Sequence, residues 1–165
     1  MKTLSPLLAS LLASLLAAPI VLADEKAESI AHGKTKFVTC AACHGQDGKG
    51  LQLGPNMLMA PAYKGSTVVD GDPELFALIL MKGIKKEGTK YVGVMTGLET
   101  VLNDKDLAGV ITYIRNDFSD QKDFITENQV KEWRAKYKDR KEQVTRQEIE
   151  AFQKKTEDHS KEKEE

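Results

Sequence analysis

The sequence predicts an all-α fold, helices joined by glycine- and proline-punctuated loops, with a charged helical extension at the C-terminal end. Three observations predict it. Asp72-Pro73-Glu74, Asn103 and the pairs Thr126/Gln129 and Thr145/Glu148 are helix-start signals, each setting a side-chain acceptor before amides that have no partner in the helix. Apolar residues recur at helical spacing behind them, as in Leu75, Leu78 and Ile79 and in Leu107, Val110, Ile111 and Ile114. The stretches between are broken by Gly and Pro and keep no period.

In chain order, Met1-Lys2 gives a positive start, residues 7–22 are almost wholly apolar, and Val21-Leu22-Ala23 puts a small residue ahead of Asp24. That is the pattern of an export signal, and the apolar run is shorter than the ~20 residues a spanning helix needs. Residues 1–23 are therefore expected to be removed, leaving a chain that starts at Asp24, works in the periplasm and has no membrane span. No cysteine adjoins the cleavage point, which argues against a lipid anchor. Residues 27–39 read as a helix carrying Gly33 and Phe37 on one face, and residues 45–61 as a loop. Asp72 caps the next helix, Pro73 suits its first position, and Gly83 is expected to end it as a left-handed cap. After a second irregular stretch, residues 84–100, Asn103 opens a third helix that runs to about Asn116, with Leu107, Tyr113 and Ile114 on its apolar face. From residue 119 the chain is dense in both charges, with one narrow apolar stripe of Val130, Trp133, Tyr137 and Val144, and from His159 it has nothing apolar and is expected to be disordered. The division is thus 1–23, 24–118 and 119–165.

Composition excludes some functions and favours others. With 24 basic and 25 acidic residues the net charge is −1, which gives no footprint for nucleic acid. Aromatic content is 6%, a thin core that a large buried cofactor would supplement. The two cysteines cannot build a disulfide framework.

Those cysteines lie in Cys40-Ala41-Ala42-Cys43-His44, the spacing of c-type haem attachment. Two thiols one helical turn apart can add to the two vinyl groups on one haem edge, and the next residue then presents its imidazole to the iron. A thioredoxin-like disulfide would need a long helix after the motif, but Gly45-Gln46-Asp47-Gly48-Lys49-Gly50 follows and breaks one. For zinc, two Cys and one His leave the shell incomplete, and His32 and His159 sit at no ligand spacing.

Residues 40–50 together with Asp72-Pro73-Glu74, Leu80-Met81-Lys82-Gly83, Tyr91-Val92-Gly93-Val94-Met95 and residues 104–115 resemble the class I cytochromes c, in particular bacterial monohaem domains found alone or fused to periplasmic dehydrogenases and oxidases. The resemblance covers residues 33–118. It implies three to four helices around one haem c, with the first and last crossing near Gly33, Phe37 and Tyr113. Phe37 stands one residue nearer Cys40 than is usual, which implies a local shift. Of the five methionines, the resemblance makes Met95 the sixth ligand opposite His44, while Met57, Met59 and Met81 read as core fillers. Thr96 occupies a place where relatives carry Pro, which makes this loop looser. A proline carbonyl is implied as acceptor for His44; Pro55 and Pro61 compete, and the spacing from Gly65-Ser66 to Asp72-Pro73 favours Pro61. His/Met ligation closes the iron and favours electron transfer over oxygen chemistry, so a carrier and not an enzyme is expected, with redox proteins (a dehydrogenase, an oxidase or another cytochrome) as partners. The alternatives are a haem subunit fixed to one such enzyme and a sensor whose sixth ligand is labile. The extension either lies on the haem domain through Val130 and Trp133 or is a docking arm presenting Trp133 and Tyr137.

Overall fold

The computed structural model describes residues 18–161 except Thr89. Most of the expected signal at 1–23 therefore lies outside the described residues, whose first helix, α1 (Ala18–Lys36), starts within it. After α1 come α2 (Val38–His44), a hairpin of β1 (Gln52–Gly54) and β2 (Met57–Leu58), α3 (Thr67–Asp70), α4 (Pro73–Lys82), α5 (Asp104–Asp117), α6 (Glu127–Lys136) and α7 (Arg146–Lys161). No helix among the described residues is long and apolar enough to cross a membrane. The architecture is all-α but for the hairpin, which pairs Gln52 with Leu58 and Gly54 with Met57 across a turn at Asn56, φ 59°.

Helices α1 and α5 cross in direct backbone contact. A Cβ on Gly33 would fall on the Gly109 carbonyl, so only glycine lets the two axes approach this closely. Phe37 sits at the break between α1 and α2 and packs edge-on against Tyr113, ring centroids 5.3 Å apart. The break realises the local shift: Phe37 N still donates to Gly33 O, but Cys40 N takes Phe37 O three residues back, a tighter turn.

The start signals act as the sequence implies. Asp72 accepts from Glu74 N and Asn103 from Asp106 N, and both capping boxes close in both directions, Thr126 with Gln129 and Thr145 with Glu148. Gly83 departs from expectation. Its φ of 78° comes with ψ 178°, so it turns the chain outward to run beside Met95 instead of capping in the left-handed helical region. A Cβ there would meet Met95 O at 2.5 Å.

Every residue from Leu75 to Met81 is buried, on all faces of α4. One face joins the main core with Phe37, Leu107, Ile111 and Ile114; the other, through Leu75, Leu78 and Ile79, packs on Val144 of the extension. The extension is part of the body of the molecule. Ile125 and Val130 lie in the main core, Trp133 and Tyr137 pack against it, and Arg134 reaches Asp104 at 2.6 Å and Leu102 O at 2.9 Å. Helix α7 continues to Lys161, past the point at His159 where loss of structure was expected; residues 162–165 are outside the described set.

Candidate functional site

Helix α2 presents Cys40 and Cys43 one turn apart and ends at His44, because Gly45 adopts φ 75° and leaves the helix. The glycine-rich turn then folds back over the helix end: Gly50 N donates to His44 O at 2.7 Å and Leu51 N to Cys43 O at 2.9 Å. These bonds occupy carbonyls that a helix C-terminus leaves open, and so fix the direction in which His44 leaves the backbone.

The His44 ring is held at two places. Its Nδ1 lies 3.0 Å from Pro61 O, and since a carbonyl only accepts, Nδ1 carries the proton and Nε2 is left with a free lone pair. The ring stacks on Tyr63 with centroids 4.4 Å apart and planes 13° from parallel. Burial pushes the imidazole below its ordinary pKa, with the Pro61 contact pulling the other way. The Cys40 thiol is pushed up to about 11 by burial and by neighbouring Cys43, against a hydrogen bond with Tyr63. The two sulfurs are not joined to each other.

Cys43, His44 and Pro61 line one wall of a cavity of about 460 Å³, within the ~300–1,000 Å³ range of cofactor sites. Its remaining lining is largely apolar and includes Phe76, Leu80, Met59 and Met95. The four expected residues that border it, Cys43, His44, Pro61 and Met95, come from three separate segments of the chain; Cys40 is buried one turn behind. The other methionines separate. Met81 is a core residue at 2% exposure, Met57 is 44% exposed and fills nothing, and Met59 stands in the cavity wall. Met57 was expected in the core, but the hairpin carries it out into solvent.

Four contributors had no clear sequence signal. Tyr63 continues from His44 into a ring cluster with Phe37 and Phe118; its only cue is its place two residues after Pro61. Lys86 contacts the chain ahead of Met95. Ile149 and Gln153 of α7 form part of the cavity wall, and Gln153 Nε2 donates to Thr67 Oγ1 at 2.9 Å.

A haem suits this donor set. The cavity has an imidazole nitrogen in acceptor form, a thiol beside it, thioether sulfur in its lining and mostly apolar walls. Comparison with known proteins points the same way. Cytochrome c-552 of Thermus thermophilus is 31% identical over 115 residues, 64% of this chain and 86% of that protein. Cytochrome c4 of Pseudomonas aeruginosa is 37% identical over 92 residues, 56% of this chain and 38% of that protein. The family model described as cytochrome c matches residues 30–117, the span from the α1–α5 crossing through the cysteine motif to the end of α5. On that match, which takes in over half of the sequence, the chain belongs to the cytochrome c family and serves haem-based electron transfer.

Proposed function

We propose that the chain is a periplasmic one-electron carrier with a single haem c, joined by thioether bonds to Cys40 and Cys43 and ligated axially by His44 and Met95. Haem supplies a metal that cycles between ferric and ferrous without making or breaking substrate bonds. The residues do the rest. Pro61 O fixes the His44 tautomer so that Nε2 keeps a free lone pair, and such outer partners raise the basicity of a ligating imidazole. A methionine thioether raises the reduction potential and fills the coordination site. Phe76 and Leu80 supply apolar wall against which a haem would pack. Export of residues 1–23 would bring the chain to the compartment of its redox partners. The carrier reading is preferred to a fixed subunit because the apolar stripe of the extension is spent internally, Val130 and Val144 being fully buried.

The observation that carries this reading is the His44–Pro61 contact, which leaves one ring nitrogen available to iron at the wall of a cavity that Met95 also lines. The test is expression with haem-attachment machinery, followed by ferric, reduced and pyridine-treated spectra of wild type, Cys43→Ser, Met59→Ala and Met95→Ala. Expected are a haem that survives acid-acetone extraction in the wild type, a changed pyridine spectrum in Cys43→Ser, and loss of the far-red methionine–iron band in Met95→Ala alone. Loss of that band in Met59→Ala instead would move the sixth ligand to Met59. Fully extractable haem in the wild type would end the reading.

A further inference from the structure

The loop that brings Met95 to the cavity is held mainly through its backbone. Val92 and Val94 are 48% and 52% exposed, so their side chains contribute little to fixing it, and Thr96 lacks the ring that would restrict the backbone just after Met95. One cation stands in. The Lys86 ammonium donates to three successive carbonyls, Tyr91 O at 2.7 Å, Val92 O at 2.9 Å and Gly93 O at 3.0 Å. An ammonium has three protons and no acceptor, so all its donors are used on this one segment. Three carbonyl dipoles aimed at one point repel one another, and the positive charge reverses that cost; hydrogen bonds to a charged donor are among the stronger ones.

The segment is pinned on its other edge too. Val92 N donates to Leu58 O at 3.0 Å and Gly93 N to Met59 O at 2.8 Å. Residues 91–93 thus hang between the hairpin and Lys86, and Ile84 N, two residues before Lys86, donates to Met95 O at 2.9 Å. The Leu58 and Met59 carbonyls hold the amides of this segment, and Lys86 holds its carbonyls.

We infer that Lys86 is the positioning residue for the sixth ligand, its ammonium clasping carbonyls 91–93 so that the Met95 sulfur stays at the iron. The inference rests on the reading of Met95 as that ligand. The test uses the haem-loaded full chain as wild type, Lys86→Met, Lys86→Arg, Met95→Ala and Lys105→Met, the last removing the same charge from an exposed site on α5. Imidazole affinity of the ferric protein, the far-red band and Tm are measured for each. Lys86→Met keeps the apolar stem and loses the donors. It is expected to bind imidazole at least ~10-fold more tightly, the equivalent of ~1.4 kcal/mol, with a weakened band; Lys86→Arg recovers part of this and Lys105→Met matches wild type. A Lys86→Met protein that melts earlier but binds imidazole within twofold of wild type makes Lys86 merely structural and overturns the inference. If Met95→Ala keeps both the band and wild-type affinity, the ligand assignment itself falls, and the inference falls with it.

Discussion

His44 can serve iron only through a nitrogen that carries no proton, and a single contact decides which nitrogen that is. Pro61 O accepts a hydrogen bond from Nδ1–H, and Tyr63 stacks on the ring face and stops it from turning. The two do different work. The ring of Tyr63 packs on His44 and Phe118, while its hydroxyl reaches Cys40. Tyr63→Phe is expected to cost ~1 kcal/mol, one hydrogen bond, and Tyr63→Ala ~3–5 kcal/mol, the loss of a large buried ring, both by urea denaturation of the haem-loaded protein. Equal losses in the two variants would mean that the hydroxyl alone carries the contribution. At this scale the run from Cys40 to His44 was legible as a motif because thioether attachment, where it occurs, requires one fixed spacing. Pro61 was legible as one of two candidates, from its distance to later residues. Tyr63 and Lys86 were not, since an aromatic or a lysine in an irregular segment has no period that gives away its direction.

Helix α4 shows how an element can announce a partner without naming it. Seven consecutive buried residues from Leu75 to Met81 are too many for one core-facing stripe, so a second layer had to exist. The capping boxes at Thr126 and Thr145 marked two helices downstream, and the stripe through Val130 and Val144 marked their apolar side, but periodicity says which side is apolar and not what it meets. The meeting point is Val144, whose N donates to Gly83 O and whose O accepts from Lys85 N, both at 2.9 Å. Just beyond it, Arg140 grips Glu148 through two nitrogens at 2.8 and 3.1 Å, and Thr145 N donates to Glu148 at 2.8 Å. The Arg140 contact first, then the Thr145 amide, hold the Glu148 carboxyl down at about 2, against 4.5 for a free glutamate. A carboxylate whose folded-state value is depressed stabilises the fold fully above the unfolded value and loses that contribution as pH falls through the folded one. The start of α7 is therefore expected to stay docked at pH 5 and above, on the order of the free glutamate value, and to release as the pH approaches about 2. Arg140→Gln should move that release upward toward 4.5. Amide exchange at residues 145–150, followed through an acid titration, reads it; the same midpoint in both proteins would remove Arg140 from the latch.

For the molecule as a whole, an all-α body around a haem was legible because helix caps, glycine turns and the attachment motif all agree, and such agreement between levels is what a well-specified fold provides. The hairpin at residues 52–58 escaped because two short strands are too brief to alternate. Of the two readings of the extension, the one that lays it on the domain through Val130 and Trp133 is what the structure shows; its individual partners escaped because they join residues far apart in sequence: Ile125 N with Thr112 Oγ1 at 3.0 Å, Tyr137 with Glu74, Gln153 with Thr67. Those contacts join the segment after residue 118 to the core of the segment before it, and this has a thermodynamic consequence. Elements that share one core unfold together. The chain carries its single Trp, Trp133, in the extension, so its emission reports that segment, whereas a methionine–iron band, on the proposed ligation, would report the loop around Met95. Guanidinium unfolding followed by both signals is expected to give one coincident transition. Ile125→Ala, which opens a cavity under the extension at a residue only 2% exposed, should cost ~2–5 kcal/mol and move both curves by the same amount. Were Trp133 emission to change at lower denaturant than the loss of the band, or Ile125→Ala to shift the emission curve alone, the extension would be a separate cooperative unit resting on the haem domain, and its place in the cavity wall would be that of a removable cover.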